Sequence, residues 1–130
     1  MTKSLFMDKY PIFSYEVSKN ETTFQNVDAI IEHLTALVSA HPVAKYIAVF
    51  DHHAHTSSME DGVINDEIIA AKNFLFCFGK QLPSTKILAV RPRSVGISEL
   101  ADKFVIDTLE VPNAQLQVVL EEWVHSIKNN

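Results

Sequence analysis

The segment Asp51-His52-His53-Ala54-His55, running on into Thr56, gathers an aspartate and three histidines within five residues. Side chains of an extended chain alternate. A strand continuing through this segment would put Asp51, His53 and His55 on one face and turn His52 and Ala54 to the other. Two imidazoles and a carboxylate sharing a face begin a site for a divalent ion of zinc, iron, manganese or nickel type. Alternate strand residues lie about 7 Å apart at Cα, close enough for two imidazoles to converge on one ion. Glu60, Asp61 and Asp66 follow in a polar stretch and would complete the shell. Without metal, the same groups would serve as acid and base or as ligand contacts. Histidines at a strand end also bond backbone, cap helices or stay solvated. The spacing matches no complete metalloenzyme motif. Asp-His-His occurs in a class of phosphoesterases, but the further aspartates and glycines of that class are missing here.

A second chemically suggestive segment is Arg91-Pro92-Arg93-Ser94. The planar guanidinium matches carboxylate or phosphate, and Ser94 would cap a following turn whose free N–H groups also favour anions. Arg91, Arg93 and Ser94, together with His52, form the candidate set for a small anionic ligand. An Arg-x-Arg also serves as an ordinary pair of surface cations, each beside a nearby acid. If the strands leading into the two segments are parallel, both emerge at the same carboxyl edge of the sheet, where open α/β folds place their ligands.

Other reactive residue types carry less. His33 and His125 sit within helical patterns, and His41 precedes Pro42 as a helix terminator. Cys77, the single cysteine, lies in the apolar run Phe74 to Phe78, which reads as packing and excludes an internal disulfide. No glycine-rich phosphate loop or serine nucleophile elbow is present.

The elements that must position these residues follow from periodicity. Ile12 to Val17 alternates as a strand with Phe13, Tyr15 and Val17 on one face. Val27, Ile30, Ile31, Leu34, Leu37 and Val38 recur at helical spacing and stop before His41-Pro42. Tyr46 to Phe50 is an apolar run of strand length. Asn65 or Asp66 would cap a helix carrying Ile68, Ile69, Lys72, Leu75, Phe76 and Phe78, stopped by Gly79. Ile87 to Val90 reads as a third strand, Ile97 to Ala101 as a short helical turn and Phe104 to Leu109 as a fourth strand. Leu116, Val119, Leu120, Trp123, Val124 and Ile127 make a closing helix.

This alternation predicts one α/β domain over residues 1–130, in two or three layers: a sheet of about four strands, parallel or mixed, flanked by helices. The order overlaps with a thioredoxin-like arrangement, but no Cys-x-x-Cys is present. At 130 residues and 47% hydrophobic composition, the chain is long enough to build a core without disulfide or structural metal. A net charge of −5 argues against a nucleic-acid or anionic-membrane partner. No stretch approaches the ~18 apolar residues of a membrane span, and the expectation is a cytoplasmic protein.

The segments Phe50-Asp51-His52-His53-Ala54-His55-Thr56, Asn73 to Leu82, and Leu88-Ala89-Val90-Arg91-Pro92-Arg93-Ser94 resemble signatures of a small uncharacterised bacterial domain family. That resemblance implies a cytoplasmic protein without an assigned reaction and transfers no catalytic residue. Taken together, the residues point to a small-molecule or divalent-metal-binding domain. Its site would combine Asp51, His53 and His55 with Arg91 and Arg93. The competing expectation is a non-enzymatic homodimeric interaction or scaffold protein.

Overall fold

The computed structural model describes residues 1–130. Its strands are β1 (Thr2–Phe6), β2 (Tyr10–Ser18), β3 (Ala44–Asp51), β4 (Ala70–Phe78), β5 (Arg93–Glu99) and β6 (Lys103–Leu109). Three helices accompany them: α1 (Val27–Ala40), α2 (His52–Ser57) and α3 (Ala114–His125). All six strands form one sheet in the order β1-β2-β6-β5-β4-β3, and every neighbouring pair is antiparallel.

This corrects the expected four-stranded parallel or mixed α/β sheet. Three segments account for the difference. Residues 65–79, expected as a helix, contain β4, whose Phe74, Phe76 and Phe78 are buried on one face while Leu75 and Cys77 point to the other. Ile97 to Ala101, expected as a helical turn, belongs largely to β5, where Val95 and Ile97 are buried and Ser94, Gly96 and Ser98 alternate with them. Ile87 to Val90, expected as a strand, overlaps a 3₁₀ turn over Thr85–Ala89. With a strand in place of the middle helix, no crossover joins β3, β4, β5 and β6, and successive strands pair antiparallel.

The remaining elements follow the expected pattern. Asn26 caps α1 by accepting the Ala29 N–H at 2.8 Å, and the helix ends at His41, before Pro42. Asn113 caps α3 by accepting the N–H groups of Gln115 and Leu116. Val27, Ile30, Leu34 and Val38 of α1 and Leu120, Trp123 and Val124 of α3 join the same buried cluster as Phe74, Phe76, Val95, Ile97, Phe104 and Ile106. The Trp123 ring stacks on Phe78 with centroids 5.4 Å apart and meets Phe76 edge-on. Both long helices therefore lie on one face of the sheet. The opposite face has no long helix over it.

His33 ties the two long helices together. Its Nε2 lies 2.7 Å from the Ser126 hydroxyl, which donates to the Trp123 carbonyl, so Nε2 carries the proton in this link. Burial pushes the His33 imidazole below its ordinary value of 6.5. As pH falls, the unfolded chain takes up this proton before the folded one. The neutral ring's contribution is thus present above about pH 6.5 and is lost as pH drops through the lower folded value. His33→Gln, which keeps an N–H for Ser126, is expected to lose less stability than the wild type between pH 7.5 and 5, read as the difference in urea midpoints. An unchanged pH slope would contradict this assignment.

Candidate functional site

The histidine segment does not continue its strand. Asp51 ends β3 and its carboxylate accepts the Ala54 N–H at 2.9 Å, so residues 52–57 turn into α2. In a helix, positions 52 and 55 share a side, whereas 51, 53 and 55 do not. The His52 and His55 rings accordingly lie 5.9 Å apart, both packed against Phe50. His52 Nδ1 sits 3.2 Å from the Thr56 hydroxyl. His53 faces a separate hollow of about 170 Å³ that it shares with His52, Thr56, Val63 and Ala71. Asp51 is also 3.8 Å from the Lys72 ammonium. No three His, Cys, Asp or Glu side chains of the chain come together as a metal-holding set.

The arginines are engaged with backbone. Arg91 donates to the Gln81 carbonyl at 2.9 Å, and its guanidinium lies over Gly79, whose φ of +97° and missing Cβ allow that approach. Arg93 is 8% exposed and donates to three carbonyls: Val90 at 3.1 Å, Leu109 at 2.8 Å and Glu110 at 2.9 Å. It therefore binds the end of β6 to the segment entering β5. Burial pushes its guanidinium below the usual value, though arginine stays charged at any working pH.

The two segments also stand apart. Asp51 is opposite Lys72, Lys72 opposite Ile97, and Phe76 opposite Arg93. Arg93 is thus four residues along β5 from the Asp51 row and two strands across, or about 16 Å away. The shared His–Arg crevice required both segments to follow their strands; β3 and β5 do run the same way, but the histidines leave the end of β3 whereas Arg93 begins β5, which puts the segments at opposite ends of the sheet.

Ser94 has different company. On the face without long helices, the strand register sets Ser14 opposite Asp107, Asp107 opposite Gly96, Gly96 opposite Asn73, and Asn73 opposite Phe50. The Ser14 hydroxyl donates to Asp107 Oδ1 at 2.5 Å, and the Asn73 amide donates to the Ser94 hydroxyl at 2.9 Å. Gly96 lies between these two pairs. A Cβ built there would stand 3.4 Å from the Asp107 carbonyl oxygen and 3.9 Å from the Asn73 amide nitrogen, so glycine leaves a hollow in the row.

This row opens into a cleft of about 570 Å³. Its polar lining includes Asn73, Ser94 and Asp107, and its apolar lining includes Ile12, Val90 and Leu109. Leu109 and Val90 are exposed, and Phe6 and Tyr10 extend an apolar band at the same end of the sheet. Of the residues singled out by sequence, Arg93 and Ser94 border this cleft and His52, His53 and His55 do not.

Asn73, Gly96, Asp107 and Ser14 were missed. Their signal was present: Ser94-Val95-Gly96-Ile97-Ser98 alternates small or polar residues with β-branched apolar ones, which is a strand with one face buried. No helix of the chain is long and apolar enough to cross a membrane. No curated protein and no solved structure matches the chain. The model of DUF6858, a family of unknown function, matches residues 1–129, and the chain belongs to that family.

Proposed function

We propose that this chain is a small-molecule-binding domain whose site is the cleft on the sheet face without long helices. One observation carries the reading: a concave space of ligand size whose floor combines polar side chains with a glycine. Cavities of roughly 300–1,000 Å³ with apolar walls and a few oriented polar groups are the usual form of small-molecule sites. The scaffold suits the role. Asn73, Ser94 and Asp107 stand on three adjacent central strands whose other faces are packed into the core, so their positions are set by a rigid sheet. The lining holds no histidine or cysteine, and the reading is one of binding.

Amide spectra of the 15N-labelled protein, recorded against a set of fragments of fewer than about fifteen heavy atoms, test it. Shifts concentrated at Ile12, Asn73, Ser94, Gly96 and Asp107 are expected. Fragments that move only residues outside the cleft, or none at all, would contradict the assignment.

A further inference from the structure

Resting on the cleft reading above, we infer that the ligand presents a protonated amine to Asp107 and lays an aliphatic body against Ile12, Val90 and Leu109. The hydrogen-bond balance over Gly96 carries the inference. The Asp107 carboxylate takes one hydroxyl, from Ser14, and enters none of the chain's ion pairs. A half-buried carboxylate without a cation is an unfilled acceptor. The one cationic residue bordering the cleft, Arg93, turns its two terminal nitrogens to the carbonyls of Val90, Leu109 and Glu110, and its remaining Nε is buried out of a ligand's reach. Asn73 gives an N–H to Ser94, and its carbonyl oxygen has no protein partner.

Among the groups on the cleft floor, the second Asp107 oxygen and the Asn73 carbonyl oxygen are spare acceptors, the Ser94 hydroxyl proton and one Asn73 N–H are spare donors, and the acceptors include the one full charge without an ion-pair partner. An ammonium carries three donors and no acceptor, and so complements such a set. An anion is disfavoured by the Asp107 carboxylate in the lining. Glu110 has its own cation, Lys3, at 2.9 Å, which leaves Asp107 as the charge to be met. The hollow at Gly96 gives the head group room beside Asn73, and the apolar rim gives the remainder of the ligand a surface.

The test compares three probes of equal size on the full chain: butylammonium, n-butanol and butyrate, each titrated into wild type and Asp107→Asn while amide shifts are followed. Butylammonium is expected to move the amides of Ser14, Asn73, Gly96 and Asp107. Its affinity should fall at least tenfold in Asp107→Asn and weaken as salt is raised, and butyrate should leave the cleft unmoved. The Asn variant keeps an oxygen for the Ser14 hydroxyl, and its own spectrum reports whether it is folded. If it is not, the salt dependence and the comparison with butanol in the wild type decide. Butanol or butyrate binding as tightly as butylammonium, without salt dependence, would overturn the amine while leaving the cleft as a binding site. No cleft shift with any probe or fragment would overturn the site itself.

Discussion

Phe76→Ala is expected to destabilise the fold by about 3–5 kcal/mol, the range for deleting a buried aromatic ring from a core that cannot collapse around the void. Phe76 has no exposed surface, and its ring meets Phe74, Phe78 and Trp123. It sits on an interior strand between Tyr46 of β3 and Arg93 of β5, so neighbours on both sides and the helix above are held in place and relax little. The comparison along β4 makes the result diagnostic. Leu75 lies on the opposite, half-covered face, and Leu75→Ala should cost roughly 1 kcal/mol, in proportion to the smaller area it buries. Phe74→Ala and Phe78→Ala should resemble Phe76→Ala. High cost at positions 74, 76 and 78 with a low value at 75 is a period of two. Costs recurring every three or four residues would instead restore a helix. Urea unfolding of the four variants, analysed at constant slope, provides the measurement.

Arg93→Met is expected to cost about 2–4 kcal/mol. Methionine keeps much of the aliphatic stem but removes the donors that hold the carbonyls of Val90, Leu109 and Glu110. Leaving a buried acceptor without a donor costs roughly 1–3 kcal/mol; the carbonyls of Val90 and Glu110 lose the arginine donor, and that of Leu109 keeps only a long contact from the Thr108 hydroxyl at 3.4 Å. One effect reduces the sum: the variant is relieved of a desolvated charge whose Nε has no partner. Arg93→Lys should recover only part of the loss, because a single ammonium does not reproduce the planar fork that spans three carbonyls. An arginine held out for an anionic ligand would behave differently, with either change lying within about 0.5 kcal/mol in the absence of ligand. Thermal and urea unfolding of the two variants separates these roles.

The parts of the fold that were legible in the sequence are those with one unambiguous period. The α1 and α3 stripes and the alternation at Ile12 to Val17 and Phe104 to Leu109 each fit a single template. β4 fits two. Ile68, Ile69, Leu75 and Phe76 satisfy helical spacing, while Phe74, Phe76 and Phe78 satisfy strand spacing. Aromatic enrichment in the second set was the physical reason to prefer a strand. The short run Ile87 to Val90 looked like a strand because it is apolar, yet it forms a 3₁₀ turn whose Leu88 and Val90 remain exposed.

These element assignments governed the reading of the site. Asp51, His53 and His55 share a face only if the strand continues, and Asp51, as a helix cap, ends it. Arg93 looked like an anion anchor because sequence shows a guanidinium but not the three carbonyls folded around it. Asp107 and Asn73 were hidden for the opposite reason: a polar residue alternating with a buried one reads as solvent-facing. Only the register across five strands brings Ser14, Asp107, Gly96, Asn73 and Phe50 into one row.

The most direct measurement is the fragment titration repeated on Gly96→Val. A Cβ at this position makes ordinary contact at 3.4 Å, and a β-branched residue suits a strand, so the variant should fold. Its methyl groups would fill the hollow between Asp107 and Asn73. Fragments that shift the cleft amides of the wild type are expected to lose at least tenfold in affinity for Gly96→Val while its core amides stay in place. Fragments that bind Gly96→Val as tightly as the wild type would contradict a binding site over Gly96.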